Sequence, residues 1–175
     1  MPDVIAPDLK VLFCGINPSL YTAAVGHHFA RPGNRFWPAL HGAGFTPRLL
    51  SPYEEAELLE YGYGVTNVVP RATAAATELT RADYEQAAAR LRALVRRYRP
   101  CILAVLGIGA YRQAFGQPKA RLGRQPQDLE GAEVWVLPNP SGLNANHQLP
   151  DLVRLFGALR EQADTLARRP ERRAP

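Results

Sequence analysis

The chain has 175 residues, 46% of them hydrophobic and 21% charged, with two cysteines and a formal charge of +5. That length and hydrophobic share suit one domain with a packed core, which excludes a disordered chain and a disulfide or multi-cysteine metal scaffold. Nineteen of the 21 basic residues are arginines; arginine forks pair with phosphate, but the same bias follows from a GC-rich coding sequence, so charge leaves nucleic-acid binding open.

Residues 10–13 form a short apolar run broken by Gly15 and Pro18, the pattern of a buried strand entering a loop. The loop over 17–34, rich in Gly, Pro and His, is long for a structureless connection and reads as functional. Asn34 is placed as N-cap of a helix burying Phe36, Trp37 and Leu40 and stopping near 42–44. Ser51-Pro52-Tyr53-Glu54 opens a second helix with a hydroxyl cap, an early proline and a glutamate three residues on; it ends at Tyr61-Gly62. A second strand covers 64–69 and is closed by Pro70. Residues 71–80 show no period. Thr80 and Asp83 then match a capping box with aspartate for glutamate, opening a helix to about Arg99. Its apolar face is Tyr84, Ala87, Leu91, Leu94 and Tyr98, with Arg92, Arg96 and Arg99 on another. The third strand, 101–106, is apolar throughout and so reads as buried on both faces. Gly107 and Gly109 turn it into a helix through Tyr111 and Phe115. After a polar loop over 117–124, a strand at 133–137 ends at Pro138-Asn139-Pro140-Ser141-Gly142. A last helix spans 149–167, and the charged residues 168–175 are expected to be disordered.

Strands alternating with helices predict an α/β fold: one three-layer domain over 1–167, with a short, largely parallel central sheet flanked by helices. In such sheets the site lies beyond the carboxyl ends of the strands, here the loops after Phe13, Val69, Leu106 and Leu137. The first carries Asn17-Pro18 and the last Asn139-Pro140. Asn-Pro is a common turn dipeptide, but two of them at strand ends that face one cleft, beside Asn34-Arg35-Phe36-Trp37, form a pattern.

Four blocks carry a resemblance: Val11 through Pro18, Phe29 through Trp37, Tyr63 through Asn67 and Trp135 through Leu143. In that order they resemble the mismatch-specific uracil-DNA glycosylase and thymine-DNA glycosylase family, over about 5–162. The resemblance implies a monomeric, uracil-DNA-glycosylase-like α/β enzyme. It would flip uracil, or a related mismatched or damaged pyrimidine, from double-stranded DNA and hydrolyse its N-glycosidic bond, with no metal or cofactor, initiating base-excision repair. It implies that Asn17 positions the attacking water, that Phe29 stacks on the base, and that main-chain groups around Ile16, Ser19 and Leu20 line the pocket with Asn67 and Asn139. Gly142, Leu143 and Asn144 would be the wedge that fills the hole in the duplex.

The sequence departs from that family at Ser19, where glycine is common, at Asn67, where a relative has lysine, and over 144–147, which lacks the usual serine- and arginine-containing run. Ordinary glycosidases use two carboxylates, and none of the resembling strand-end motifs has one. Glu78 and Asp83, in the segment after the second strand, are therefore weighed as assisting carboxylates, with helix capping as the alternative for Asp83. His27-His28 lacks further metal ligands. Cys14 and Cys101 read as core thiols. Gly107-Ile108-Gly109 lacks the third glycine of a dinucleotide fingerprint, and Ser141 lacks a nucleophile elbow. With no lysine in the strand-end loops, a Schiff-base mechanism is not expected. No apolar run reaches the ~20 residues of a bilayer span and no leader opens the chain, so a cytoplasmic protein with no membrane association is expected. The alternatives are a DNA-damage-binding module without catalysis and a small-molecule nucleotide-binding enzyme using the Gly107 turn.

Overall fold

The computed structural model describes residues 1–169; of the tail expected to be disordered, residues 170–175 lie outside the described residues. Aliphatic and β-branched runs, each cut by glycine, proline or a capping residue, become five strands: β1 (Val11–Gly15), β2 (Tyr63–Asn67), β3 (Ile102–Leu106), β4 (Gly123–Arg124) and β5 (Glu133–Leu137). Between and after them lie α1 (Leu20–Val25), α2 (Phe36–Gly42), α3 (Arg81–Glu85), α4 (Ala87–Tyr98), α5 (Ile108–Phe115) and α6 (Leu149–Ala167), with 3₁₀ segments at Pro52–Tyr61 and Ala76–Glu78.

The sheet runs β2-β1-β3-β5-β4. Four strands are parallel, and the two-residue β4 lies antiparallel on β5 at one edge. The register pairs Gly15 with Asn67, Cys14 with Val105 and Leu106 with Leu137, so all four parallel strands end along one rim. From β1 the chain passes to β2 on one side and later to β3 on the other. That reversal opens a crevice between β1 and β3, where open α/β sheets bind ligands.

Alternation along the strands sorts side chains into two cores. Val11, Phe13, Ile102 and Ala104 face α2, α6 and the first 3₁₀ segment, where Phe36, Leu40, Leu58 and Phe156 meet them. Leu12, Cys14, Leu103 and Val105 face the other layer, where Tyr84, Leu91, Val95 and Ala110 pack. The three-layer, largely parallel α/β expectation holds.

Several boundaries differ, each for a local reason. The long loop contains α1, capped by the Ser19 hydroxyl on the Thr22 N–H and closed by left-handed Gly26. Asn34 sits one residue before the cap position; its Oδ1 accepts from Phe36 N–H while Arg35 occupies the cap. The Ser51 start yields a kinked 3₁₀ segment rather than an α-helix, with non-helical dihedrals at Glu54. β2 ends at Asn67, although the Val68 and Val69 N–H groups still donate to Gly15 O at the end of β1 and to Ile16 O just past it. The long helix is broken at Gln86 into α3 and α4, and the polar loop ends in β4.

Candidate nucleic-acid site

A cleft of about 660 Å³ lies over the carboxyl rim of the sheet, lined from the ends of β1, β2, β3 and β5. Asn17 and Asn139 both line it, so the two Asn-Pro corners share one cavity. Their strands are two positions apart in the sheet, roughly 10 Å at the ~4.8 Å strand spacing. Between them β3 ends at Gly107, whose φ of +155° and close approach to Ile16 explain the glycine: a Cβ would stand 2.8 Å from Ile16 Cδ1. Packing therefore accounts for the residue that suggested a dinucleotide turn.

Asn17 is held by its amide nitrogen. Nδ2 donates to the Arg71 carbonyl at 2.9 Å and to Thr73 Oγ1 at 2.8 Å, and the Thr73 hydroxyl passes on to the Ala75 carbonyl at 2.8 Å. Thr73 N–H in turn donates to Pro18 O. These bonds fix the amide's orientation and leave Oδ1 as its acceptor. Arg71 and Thr73 are site-building residues that sequence reasoning missed; they lie in a segment with no periodicity and act over more than fifty positions.

Phe29 lines the same cleft from a left-handed backbone (φ 53°) and stacks on Phe36 at 4.0 Å between ring centroids. Its ring tip and Asn67 Oδ1 close over Gly15, where a Cβ would meet Asn67 Oδ1 at 2.9 Å and Phe29 Cζ at 3.1 Å. Asn67 is 7% exposed and its carbonyl accepts from the Arg90 guanidinium. Ile16 and Ser19 also line the cleft, Ser19 as the cap of α1. Leu20 is exposed and outside the lining.

The opposite wall is the segment 139–147. Asn139 Oδ1 accepts from Ser141 N–H, and the Ser141 hydroxyl from Leu143 N–H. Gly142 lies against the Gly33 carbonyl, 2.7 Å from where a Cβ would stand. Leu143 projects 76% exposed at the cleft mouth, and Asn144 Nδ2 returns to Asn139 O. Arg35, also missed as a site residue, donates to several carbonyls of this segment.

Among the described residues no aspartate or glutamate lines the cleft; its charged or titratable side chains are Arg31, His28, His147 and Tyr84. The two carboxylates weighed from sequence have other partners. Glu78 accepts from Ala75 N–H. Asp83 accepts from Arg71 Nη2 at 2.7 Å and from Thr80 N–H, and the guanidinium beside it holds its carboxyl well below the usual range. Asp83 thus reaches Asn17 only through Arg71. His27 Nδ1 and His28 N–H both meet the Glu55 carboxylate, and His28 Nε2 lies against Pro2 O. Among the described residues no group of three histidines, cysteines or acids could hold a metal. Burial pushes the Cys14 thiol up, away from reactivity. No helix of the described residues is long and apolar enough to cross a membrane.

Two comparisons bear on this geometry. The Uracil DNA glycosylase superfamily matches residues 2–161. The fold is also similar to the solution NMR structure of a candidate uracil DNA glycosylase from Methanosarcina acetivorans, with a TM-score of 0.59 and 16% identity over 91% of this chain and 96% of that one.

Proposed function

The chain belongs to the uracil DNA glycosylase superfamily, and from that premise we propose that it is a monofunctional, mismatch-specific uracil-DNA glycosylase of duplex DNA. In this reading a uracil, or a related mismatched or damaged pyrimidine, is swung out of the helix into the cleft. The C1′–N1 bond breaks with its electron pair leaving on the pyrimidine, and an oxocarbenium-like sugar remains. A water oxygen then bonds to C1′ and its proton passes to solvent, from which the departing pyrimidine anion takes one up, leaving the free base and an abasic site that starts base-excision repair.

The chain's own groups divide this work. Asn17 Oδ1 holds the water, its orientation fixed by Arg71 and Thr73. Phe29 stacks on the base, and main-chain groups of residues 16–19, with Asn67 and Asn139, surround it. Leu143, at the exposed tip between Gly142 and Asn144, enters the stack and fills the vacated space. An amide is a poor base, so acceleration comes chiefly from placing the water and stabilising the leaving anion. The enzyme acts as a monomer without cofactor, within a single domain over 1–167, in the cytoplasm.

The observation that carries this reading is the convergence of Asn17 and Asn139 on one cleft floored by Phe29. It is tested with uracil placed opposite guanine, opposite adenine and in a single strand, scoring base release. Release that is fastest opposite guanine and lost in Asn17→Ala is expected; release untouched by Asn17→Ala overturns the assignment. A cleft lined by amides and by no carboxylate among the described residues favours one second reading, a lesion-binding module without catalysis. Tight, salt-sensitive binding with no abasic product would select it.

A further inference from the structure

We infer that Arg35 is the positioning residue that holds the duplex-entering segment 139–147 in shape and ties it to the base-stacking wall. The inference rests on the glycosylase reading for the segment's role, and on bonds within the protein for its geometry.

A guanidinium presents five donors in one rigid plane. Arg35 spends them on carbonyls of a single segment: Nε to Pro140 O at 3.3 Å, Nη2 to Ser141 O at 2.7 Å and Asn144 O at 3.1 Å, and Nη1 to His147 O. Its backbone N–H adds a bond to Pro140 O at 2.9 Å. Four carbonyls spread over eight residues are thus drawn to one point, with Leu143 at the outside of the bend. The segment contains no helix or strand. Its own bonds are short turns, Asn139 to Ser141, Ser141 to Leu143 and Asn144 to Asn146, and one longer tie from Asn144 Nδ2 to Asn139 O. Those bonds shape the inner bend; Arg35 carries the tie on to His147 and joins the segment to the body of the protein.

The other end of the clamp matters equally. Arg35 lies between Asn34, which caps the Phe36 N–H, and Phe36, which backs Phe29. The wall that receives an extruded base and the loop that displaces it therefore meet at one residue. No carboxylate pairs with this arginine among the described residues, so carbonyl dipoles alone satisfy its charge. A lysine there would offer a point charge without the planar fork.

The test uses the intact protein with Arg35→Gln and Arg35→Lys. Amide hydrogen exchange should accelerate at least tenfold over 141–147 in Arg35→Gln and stay unchanged in β1, β3 and β5, which also certifies folding. Single-turnover excision of uracil paired with guanine should fall at least tenfold. Excision from a bulge, where the uracil is already extrahelical, should change less than twofold. Arg35→Lys should recover part of the loss, and adding Leu143→Ala to Arg35→Gln should cost little more. Unchanged exchange over 141–147, or equal losses on paired and bulged uracil, overturns the inference. If the wild type releases uracil from neither substrate, the glycosylase reading fails and the role in duplex entry falls with it; faster exchange in Arg35→Gln would then still establish the clamp.

Discussion

Replacing Gly15 with alanine probes the pocket wall through one methyl group. The new Cβ would stand 2.9 Å from Asn67 Oδ1 and 3.1 and 3.3 Å from Phe29 Cζ and Cε1. Unstrained heavy-atom contacts sit near ~3.5–4.0 Å, so the overlap is about half an ångström. Asn67 is buried and its main-chain carbonyl accepts from Arg90, while the Phe29 ring lines the open cleft and yields toward it. Overpacking of this kind costs about 1–3 kcal/mol, and at ~2–4 °C per kcal/mol for a chain this size Tm should fall by roughly 2–12 °C. A reacting group misplaced by ~1 Å loses on the order of 100-fold in rate, so half that displacement should remove about tenfold. Single-turnover release from a uracil:guanine duplex, with melting curves alongside, measures both. Adding Phe29→Leu should relieve the ring's share of the overlap and return part of the Tm without returning the rate, since the stacking ring is gone. A Gly15→Ala protein whose Tm falls as worked while release stays within twofold of wild type would refute the reasoning, because Phe29 and Asn67 would then not shape the base pocket.

Asp83→Asn should slow release several-fold by loosening Arg71, whose carbonyl holds Asn17, whereas Glu78→Gln should stay within twofold. The folded Asp83 carboxyl titrates below its unfolded value of ~3.9, so its contribution to stability is complete above that pH and is lost as pH falls through the lower folded value. Rate profiles of wild type and Asp83→Asn should therefore run parallel from pH 5 to 9; an acid limb present only in wild type would make Asp83 the base. Asn17→Asp supplies a stronger base yet turns an oxygen toward the Arg71 carbonyl at the 2.9 Å where Nδ2 now donates. It should be no faster than wild type, and losing that donor should lower Tm by a few degrees at ~1 kcal/mol per hydrogen bond; a tenfold gain in release would show that the carboxylate is accommodated. Leu143→Ala removes an exposed side chain and should move stability by less than about 0.5 kcal/mol. Release from paired uracil should nonetheless fall at least tenfold, with bulged uracil unaffected.

The four parallel strands were legible because they are buried and mostly apolar, wholly so in residues 102–106, with glycine, proline or asparagine at each carboxyl end. The Thr80–Asp83 cap was legible for a similar reason, since the sequence places both partners within one turn. Short elements were not. α1 has six residues and no apolar period, and only the spacing from Ser19 to Gly26 marks it. The Ser51 start carries every cap signal of an α-helix, yet the segment winds as 3₁₀ with a kink at Glu54, where packing outweighs propensity. Within the site, the asparagines and Phe29 stand in blocks that resemble a family. Their supports are harder to read: Thr73 is an ordinary threonine in an aperiodic stretch, and Arg35, though it stands inside the 29–37 block, shows no role until its acceptors, more than a hundred positions away, are in place.

That asymmetry has a physical cause in the topology. Parallel strands deliver their carboxyl ends to one rim, so side chains at strand ends are brought together by the sheet itself, and adjacent corners need no signal beyond the strand. Loops that leave the rim have only single main-chain bonds, such as Thr73 N–H to Pro18 O and Arg35 N–H to Pro140 O, and rely on ties from side chain to main chain as well. Asn17 is tied to the carbonyl of Arg71, and the segment after β5 is tied by Arg35 to its own carbonyls. A carbonyl is present at every residue, so such an acceptor leaves no trace in the sequence and only its donor does. The donors here are an asparagine and an arginine with no acidic partner. In a cleft lined by no carboxylate among the described residues, a polar side chain lacking any charged counterpart is the mark to look for, because most of its hydrogen bonds end on backbone.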